Sequence, residues 1–406
     1  MRQVCTLCGQ ETLSNNLWCH RVECSAENLE TILPRGEAFD VLTIGDFVHA
    51  LRAANVYEAT FESEPVLVKI SHRGEASGTY LKAEARLFWA LQDSDFSHPA
   101  LPRLIPRHTA ADFRTQPGEE WLRAYGRTTH RGHLRYYTLF EPISTRFLRD
   151  QLNLTPQLPP RVAGNMVETL ADLLLKIQAQ VERFGYRGND APRYHHLALC
   201  PDVILVRTDA EGILRPLLFD LGLQEAVLTA EREDAAKQTT QPREQRLAAW
   251  AGRFTHPAYV APDLFHNRHT DLTDIYGLSH LLYETLMGHS RFDFHTQTRT
   301  MLHRAIERGS PQKPFRRVDL DDTINMLVER GLEHDFFQRD KAFDKKDGIA
   351  PLRNYHRVLR NLWGAMPEEQ PPRKWYQPSP QQWEIIRLLA FLTLILLATL
   401  LIVPAT

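Results

Sequence analysis

Net charge is the first thing this sequence lacks: 48 basic residues stand against 50 acidic ones, leaving −2 with histidines neutral. Nonspecific nucleic-acid binding leans on a basic surface, so no nucleic-acid partner is expected. The N-terminus, Met1-Arg2-Gln3-Val4-Cys5, has no apolar core of the kind a secretory signal carries. The folded part is therefore expected in the cytoplasm, where thiols stay reduced. Cysteine is scarce too, at 5 in 406 residues, and no internal repeat is visible. Apolar residues are plentiful: 43% of the chain is hydrophobic and 24% charged, a balance that supports a substantial core and argues against wholesale disorder. The length accommodates two modest domains, or one large domain with attachments.

The few cysteines are clustered. Cys5, Cys8, Cys19 and Cys24 give C-x2-C-x10-C-x4-C within residues 1–30. In a reducing compartment, clustered thiolates at this spacing suit tetrahedral zinc better than disulfides. The leading Cys5-Thr6-Leu7-Cys8-Gly9 reads as a zinc-knuckle turn, with glycine relieving strain beneath the metal. The second pair is wide, so His20 is an alternative ligand to Cys19 or Cys24; a redox pair or incidental cysteines are the other readings. So short a segment hardly folds without its metal. It is expected to dock a partner or pack against the neighbouring strands. Cys200, flanked by apolar residues, reads as a buried thiol.

The C-terminus differs from the rest. Leu388 to Val403 carries no charge, and as a helix it spans roughly 24 Å at 1.5 Å per residue. That is somewhat short of a bilayer core, but Ile385 and Ile386 extend it if Arg387 snorkels. Trp375, Tyr376 and Trp383 suit the membrane interface. A buried core helix or an amphipathic surface helix fits a terminal, all-apolar segment poorly. A transmembrane helix is expected over 385–403. Arg373, Lys374 and Arg387 on its N-terminal side place the large part of the chain in the cytoplasm. Five prolines between residues 366 and 384 favour an extended juxtamembrane linker.

Residues 40–365 read as strands first and helices later, an α+β order. Thr60-Phe61 and Val66 to Ile70 predict strands around Glu62-Ser63-Glu64-Pro65. Tyr80 to Gln92 predicts an amphipathic helix. Tyr136 to Phe140 predicts a strand. Val162 to Val181 predicts a long helix with Val167, Leu170, Leu174, Ile177 and Val181 on one face. Val203 to Val206 and Ile213 to Phe219 predict a hairpin around Asp209 to Gly212.

Several motifs sit on this layout in order. Val66-Leu67-Val68-Lys69 is similar to V-A-I-K. His98-Pro99-Ala100-Leu101-Pro102 is similar to H-P-N-I-V. His196-Leu197-Ala198-Leu199-Cys200-Pro201-Asp202-Val203-Ile204-Leu205 is similar to H-R-D-L-K-P-x-N-I-L, and Phe219-Asp220-Leu221-Gly222 to the D-F-G element. Tyr259-Val260-Ala261-Pro262-Asp263 is similar to Y-x-A-P-E. Thr273-Asp274-Ile275-Tyr276-Gly277-Leu278, running to Phe292, is similar to S-D-I-Y-S-L-G…G-x-x-P-F. Together they resemble the protein kinase superfamily, with its β-rich small lobe and helical large lobe.

The resemblance implies roles for particular residues. Lys69 is the candidate phosphate-binding lysine, and Glu84 its partner on the helix. The backbone of Glu141 and Ile143 would meet a purine. Asp220 would hold magnesium, and Asp274 would brace the catalytic loop from below. The same resemblance implies loss of chemistry. Ala198 stands for the catalytic aspartate, Cys200 for the loop lysine and Val203 for the metal-binding asparagine. The glycines of a G-x-G-x-x-G loop counted back from Val56 are replaced by His49, Leu51 and Ala54.

The resemblance thus implies a pseudokinase that scaffolds or regulates cytoplasmic signalling proteins, with ATP and magnesium as possible ligands, and the C-terminal segment makes it membrane-anchored. An active atypical kinase and a nucleotide-independent adaptor are the rivals. On the adaptor reading, Lys69 and Glu84 form a fold-supporting salt bridge and Asp220 caps a turn. His195 and His196 are read as bracing residues and Asp202 as an exposed turn residue. Leu223 to Ala258 is read as a solvated polar loop in which Thr239 and Thr240 offer hydroxyls for phosphorylation.

Overall fold

The structure, a computed structural model, describes residues 2–6, 11–13, 29–107, 119–143, 146–183, 193–209, 212–236, 243–266, 268–292, 299–310, 315, 317, 320–343 and 349–364. All lie in the first of two compact units, Met1–Ala365; the second is Met366–Thr406. Cys8, Cys19, His20, Cys24, Thr239, Thr240 and the 385–403 segment lie outside the described residues. No helix among the described residues is long and apolar enough to cross a membrane.

Three short strands open the chain: β1 (Arg2–Cys5), β2 (Glu11–Leu13) and β3 (Leu29–Thr31), antiparallel in the order β2-β1-β3. Next come β4 (Ala38–Phe39), β5 (Leu42–Ala50), β6 (Ala54–Phe61) and β7 (Glu64–Ser71), then helix α1 (Glu75–Asp93), then β8 (Leu104–Ile105), β9 (Gly126–His130) and β10 (His133–Phe140). These strands form one antiparallel sheet, β4-β5-β6-β7-β10-β8, with β9 added to β10. The β6–β7 turn is tighter than its Pro65 led us to expect. Glu62 and Ser63 alone make it, at φ 51° and 71°, and Pro65 pairs within the strand opposite Thr60. A turn with two left-handed residues matches the twist of a hairpin. Alternation along β6 and β7 sends Tyr57, Ala59, Phe61, Val66, Val68 and Ile70 into one apolar cluster with Val4, Ile32 and Leu33 of the N-terminal segment.

The rest is mainly helical. A short β11 (Arg146–Phe147) leads into α2 (Leu148–Leu154) and α3 (Pro160–Arg183), and β12 (Ile204–Thr208) pairs with both β11 and β13 (Leu214–Leu218). Then come α4 (Leu223–Ala236), α5 (Arg243–Phe254), α6 (Pro262–Phe265), α7 (Asp271–Met287), α8 (Arg299–Glu307), α9 (Asp322–Gly331), α10 (Phe336–Phe343) and α11 (Pro351–Gly364). The predicted face of α3 is buried at every named position, and each such aliphatic side chain stabilises the fold by roughly 1.5–3 kcal/mol. At the centre lies α7, buried from Asp271 to Leu286, started by a Thr270–Thr273 capping box and ended by Gly288 at φ 76°. It packs on α3, α9 and α11.

The segment read as a solvated loop is corrected by the structure: α4 and α5 occupy much of it. Leu223, Ala226, Val227 and Ala230 are buried, and α4 lies against α1. Those residues are spaced three and four apart, a helical signal outweighed in the sequence by the adjoining acidic run.

Candidate functional site

Lys69 sits in β7, where its neighbours in the pleat are Val68 and Ile70, and its side chain is fully buried. Its Nζ reaches Glu84 Oε1 on α1 at 2.6 Å. Three aromatic rings enclose the ammonium, with Phe88 at 5.9 Å, Phe140 at 5.4 Å and Phe219 at 4.6 Å to the centroids. Glu84 also accepts from the Leu221 amide, 3.1 Å away. Burial pushes the Glu84 carboxyl up, opposed by the charge of Lys69.

Asp220 follows Phe219 and is buried. Its Oδ1 accepts from the Tyr80 hydroxyl at 2.8 Å and from the Gly222 amide at 2.6 Å, the latter an Asx-type turn. Gly222 is needed there: it has φ 90°, and a Cβ would lie 2.2 Å from the His196 carbonyl oxygen. His196 braces the same turn. Its Nδ1 accepts from the Ala198 amide at 3.2 Å, so Nε2 carries the proton donated to the Asp220 carbonyl at 2.7 Å. Burial lowers the His196 pKa, which keeps the ring neutral for both roles. From α7, Asp274 accepts from the amides of His196 and Leu197 at 3.0 and 2.9 Å. These bonds hold Leu197 at φ 65°, a strained value for leucine. His195 lies alongside, its Nδ1 3.7 Å from Asp271 and 3.8 Å from Asp274.

Ala198, Cys200 and Val203 are all buried on this loop. Among the three, only the Cys200 thiol is chemically reactive, and burial pushes its pKa up. Asp202 is not the exposed turn residue expected. It is half-buried and salt-bridged to Arg149 at 3.3 Å. Burial alone would raise its carboxyl, yet the Arg149 guanidinium holds it well below the usual range. Arg149 also pairs with Glu284 of α7, which accepts from Tyr259. Sequence reasoning missed this network, whose members lie far apart in the chain and match no motif. Asp263 forms a fully buried pair with Arg339 of α10.

Glu141 and Ile143 follow Phe140 beyond the end of β10. Glu141 is exposed, its amide donates to the Arg103 carbonyl at 3.1 Å, and its carboxylate pairs with the Arg103 guanidinium. Pro142, between them, has no N–H to offer a base.

Of the four cysteines, Cys5 is described: it is buried at the end of β1, opposite Leu29 of β3. Its thiol chemistry and its position before a turn fit a zinc ligand. Among the described residues no group of three or more His, Cys, Asp or Glu side chains could hold a metal. Magnesium fits the centre poorly, because Asp220 Oδ1 is already bonded twice and Val203 offers no donor.

Gln92, Glu30 and Arg135 position the surrounding elements. Gln92 of α1 clamps Leu104 of β8 in both directions, at 2.7 and 3.1 Å. Glu30 on β3 accepts from the Arg73 amide at 2.7 Å and from Arg135 at 3.0 Å. The cysteine segment is thereby joined to Arg73, two residues before α1. No protein-family model matches the chain, and a search of curated proteins returns no match.

Proposed function

We propose that residues 40–365 are a protein-kinase-like domain, in two lobes, that has lost phosphotransfer and serves as a scaffold or regulator of signalling proteins in the cytoplasm. The cysteine segment is its zinc ribbon and residues 385–403 anchor it in a membrane. One observation carries the reading. Lys69–Glu84, Asp220 and the Asp274-braced His196 loop converge as the motifs require, yet the chemistry-bearing positions on that loop are Ala198, Cys200 and Val203. Phosphoryl transfer depends on positioning the acceptor and neutralising developing charge. Ala198 cannot orient an acceptor hydroxyl, and Val203 cannot ligate a metal. Magnesium with ATP would supply charge neutralisation if bound; the residues present give it little to hold.

A nucleotide-independent adaptor is the form of this reading that the burial of Lys69 favours, since none of its side chain is left for a phosphate. Lys69 is bonded to Glu84, and Asp220 to Tyr80 and Gly222, so the core displays surfaces and its motifs maintain their shape.

The test is phosphotransfer by the full-length chain in detergent, given labelled ATP, magnesium and a general protein acceptor. No transfer is expected. Transfer that disappears in Lys69→Ala contradicts the proposal.

A further inference from the structure

His49 lies on β5 where a phosphate-gripping loop would need glycine, and the pairing of β5 with β6 is irregular on either side of Phe47. Such irregularities turn a side chain out of the regular alternation. The His49 ring stacks on Phe147, with centroids 4.1 Å apart and planes inclined by 18°. Phe147 meets Phe219 edge-on at 5.9 Å, and Phe219 covers the Lys69 ammonium. An unbroken column of rings thus runs from β5 to the buried ion pair. The ring nitrogens face the opposite wall: Nδ1 is 3.6 Å from Asp150 of α2, and Nε2 is 3.9 Å from Asp202. Arg149 fixes that carboxylate from behind. Leu51 and Ala54, the other replacements for glycine, are buried beside it.

We propose that His49 is a latch that holds the cleft shut: its ring caps the column ending at Lys69, and its two nitrogens face carboxylates across the gap. This rests on the reading that the cleft no longer transfers phosphate, and it adds the device that closes it. The sheet and the helical part are joined here by one stack and by two close approaches of a ring nitrogen to a carboxylate. Together these bias the cleft toward closure by roughly ten- to a hundredfold. A partner that binds β5 or α2 can offset a bias of that size, so the latch is also the point where binding elsewhere is felt.

Cys200 reports on the latch. It lies two residues before Asp202, is buried, and burial keeps its thiol protonated, so it reacts only when the cleft opens. The experiment measures N-ethylmaleimide labelling of Cys200 in the full chain by peptide mass spectrometry, with buried Cys5 as the internal control. His49→Gly is expected to raise the Cys200 rate at least about tenfold and leave Cys5 unchanged. Equal Cys200 rates in the two proteins overturn the proposal. If both cysteines label faster, the fold has loosened and Asp150→Asn decides, because it alters only a half-buried side chain at the edge of the contact. A rise of about twofold at Cys200 alone supports the latch, and no rise overturns it. Phosphotransfer by the wild type would count against the loss of catalysis and leave these rates untouched.

Discussion

Lys69 and Glu84 make opposite demands on the fold when removed singly or together. Losing one partner leaves the other charged and buried, a cost of roughly 3–5 kcal/mol, whereas well-packed apolar residues replace both at little cost. Lys69→Met should therefore lower the unfolding free energy in urea by about 3 kcal/mol, and Lys69→Met/Glu84→Leu should recover most of it. A single variant as stable as the wild type would show that the pair does not support the fold. His72 gives a pH test of the opposite wall of the sheet. Its Nε2 donates to Asn55 at 3.1 Å, and burial lowers its pKa to about 4. Between pH 6.5 and 4 the unfolded chain binds a proton that the folded chain refuses, so stability falls as the pH drops through that window. The loss approaches about 3 kcal/mol and levels off below the folded pKa. His72→Gln should flatten that part of the stability profile, and an unchanged slope would assign it to other groups. Lys69 and Asp220 were legible because each sits at a fixed offset within a short pattern, whereas Glu84 was named only as the helix partner the resemblance implies. His49 was legible only as a missing glycine; that it reaches Phe147 depends on strand pairing, which no local pattern encodes.

At the scale of elements, strands and helices with one dominant period could be read directly. The hydrophobic face of α3 and the β12–β13 hairpin lie where their periodicities put them. The tight β6–β7 turn was obscured by Pro65, which reads as a turn residue but sits in a strand. The α4–α5 region was obscured by charge. Glu231, Glu233 and Asp234 suggest a solvated loop, but Glu233 turns toward α1, where it bonds Lys82 at 2.6 Å and Thr79 at 3.1 Å. Helix α4 therefore clamps the helix that carries Glu84. Glu233→Ala should speed amide exchange across α4 by roughly three- to fivefold and leave α7 unchanged, as measured by hydrogen exchange. Equal exchange in α4 would mean that its apolar face alone fixes it.

At the scale of the molecule, Lys69, Glu84, Asp220 and Asp274 each bond within the fold. The Lys69 ammonium lies against Glu84 under three rings, Asp220 closes its own turn, and the loop below is fixed by Asp274. The N-terminal segment enters the same framework through Glu30, on a strand that pairs with β1, which ends in Cys5. In our proposal, zinc at one end and the membrane at the other position a core whose remaining role is to present surfaces. The central claim is that Lys69, Glu84 and Asp220 hold the fold rather than a ligand. It is tested most directly by the melting temperature of the wild-type chain with ATP and magnesium, compared with magnesium alone. A nucleotide bound to the folded state stabilises it by about 2.7 kcal/mol at about a hundredfold excess over Kd, enough to raise the melting temperature by several degrees. The account predicts no shift. A magnesium-dependent rise that is lost in Lys69→Ala would contradict it.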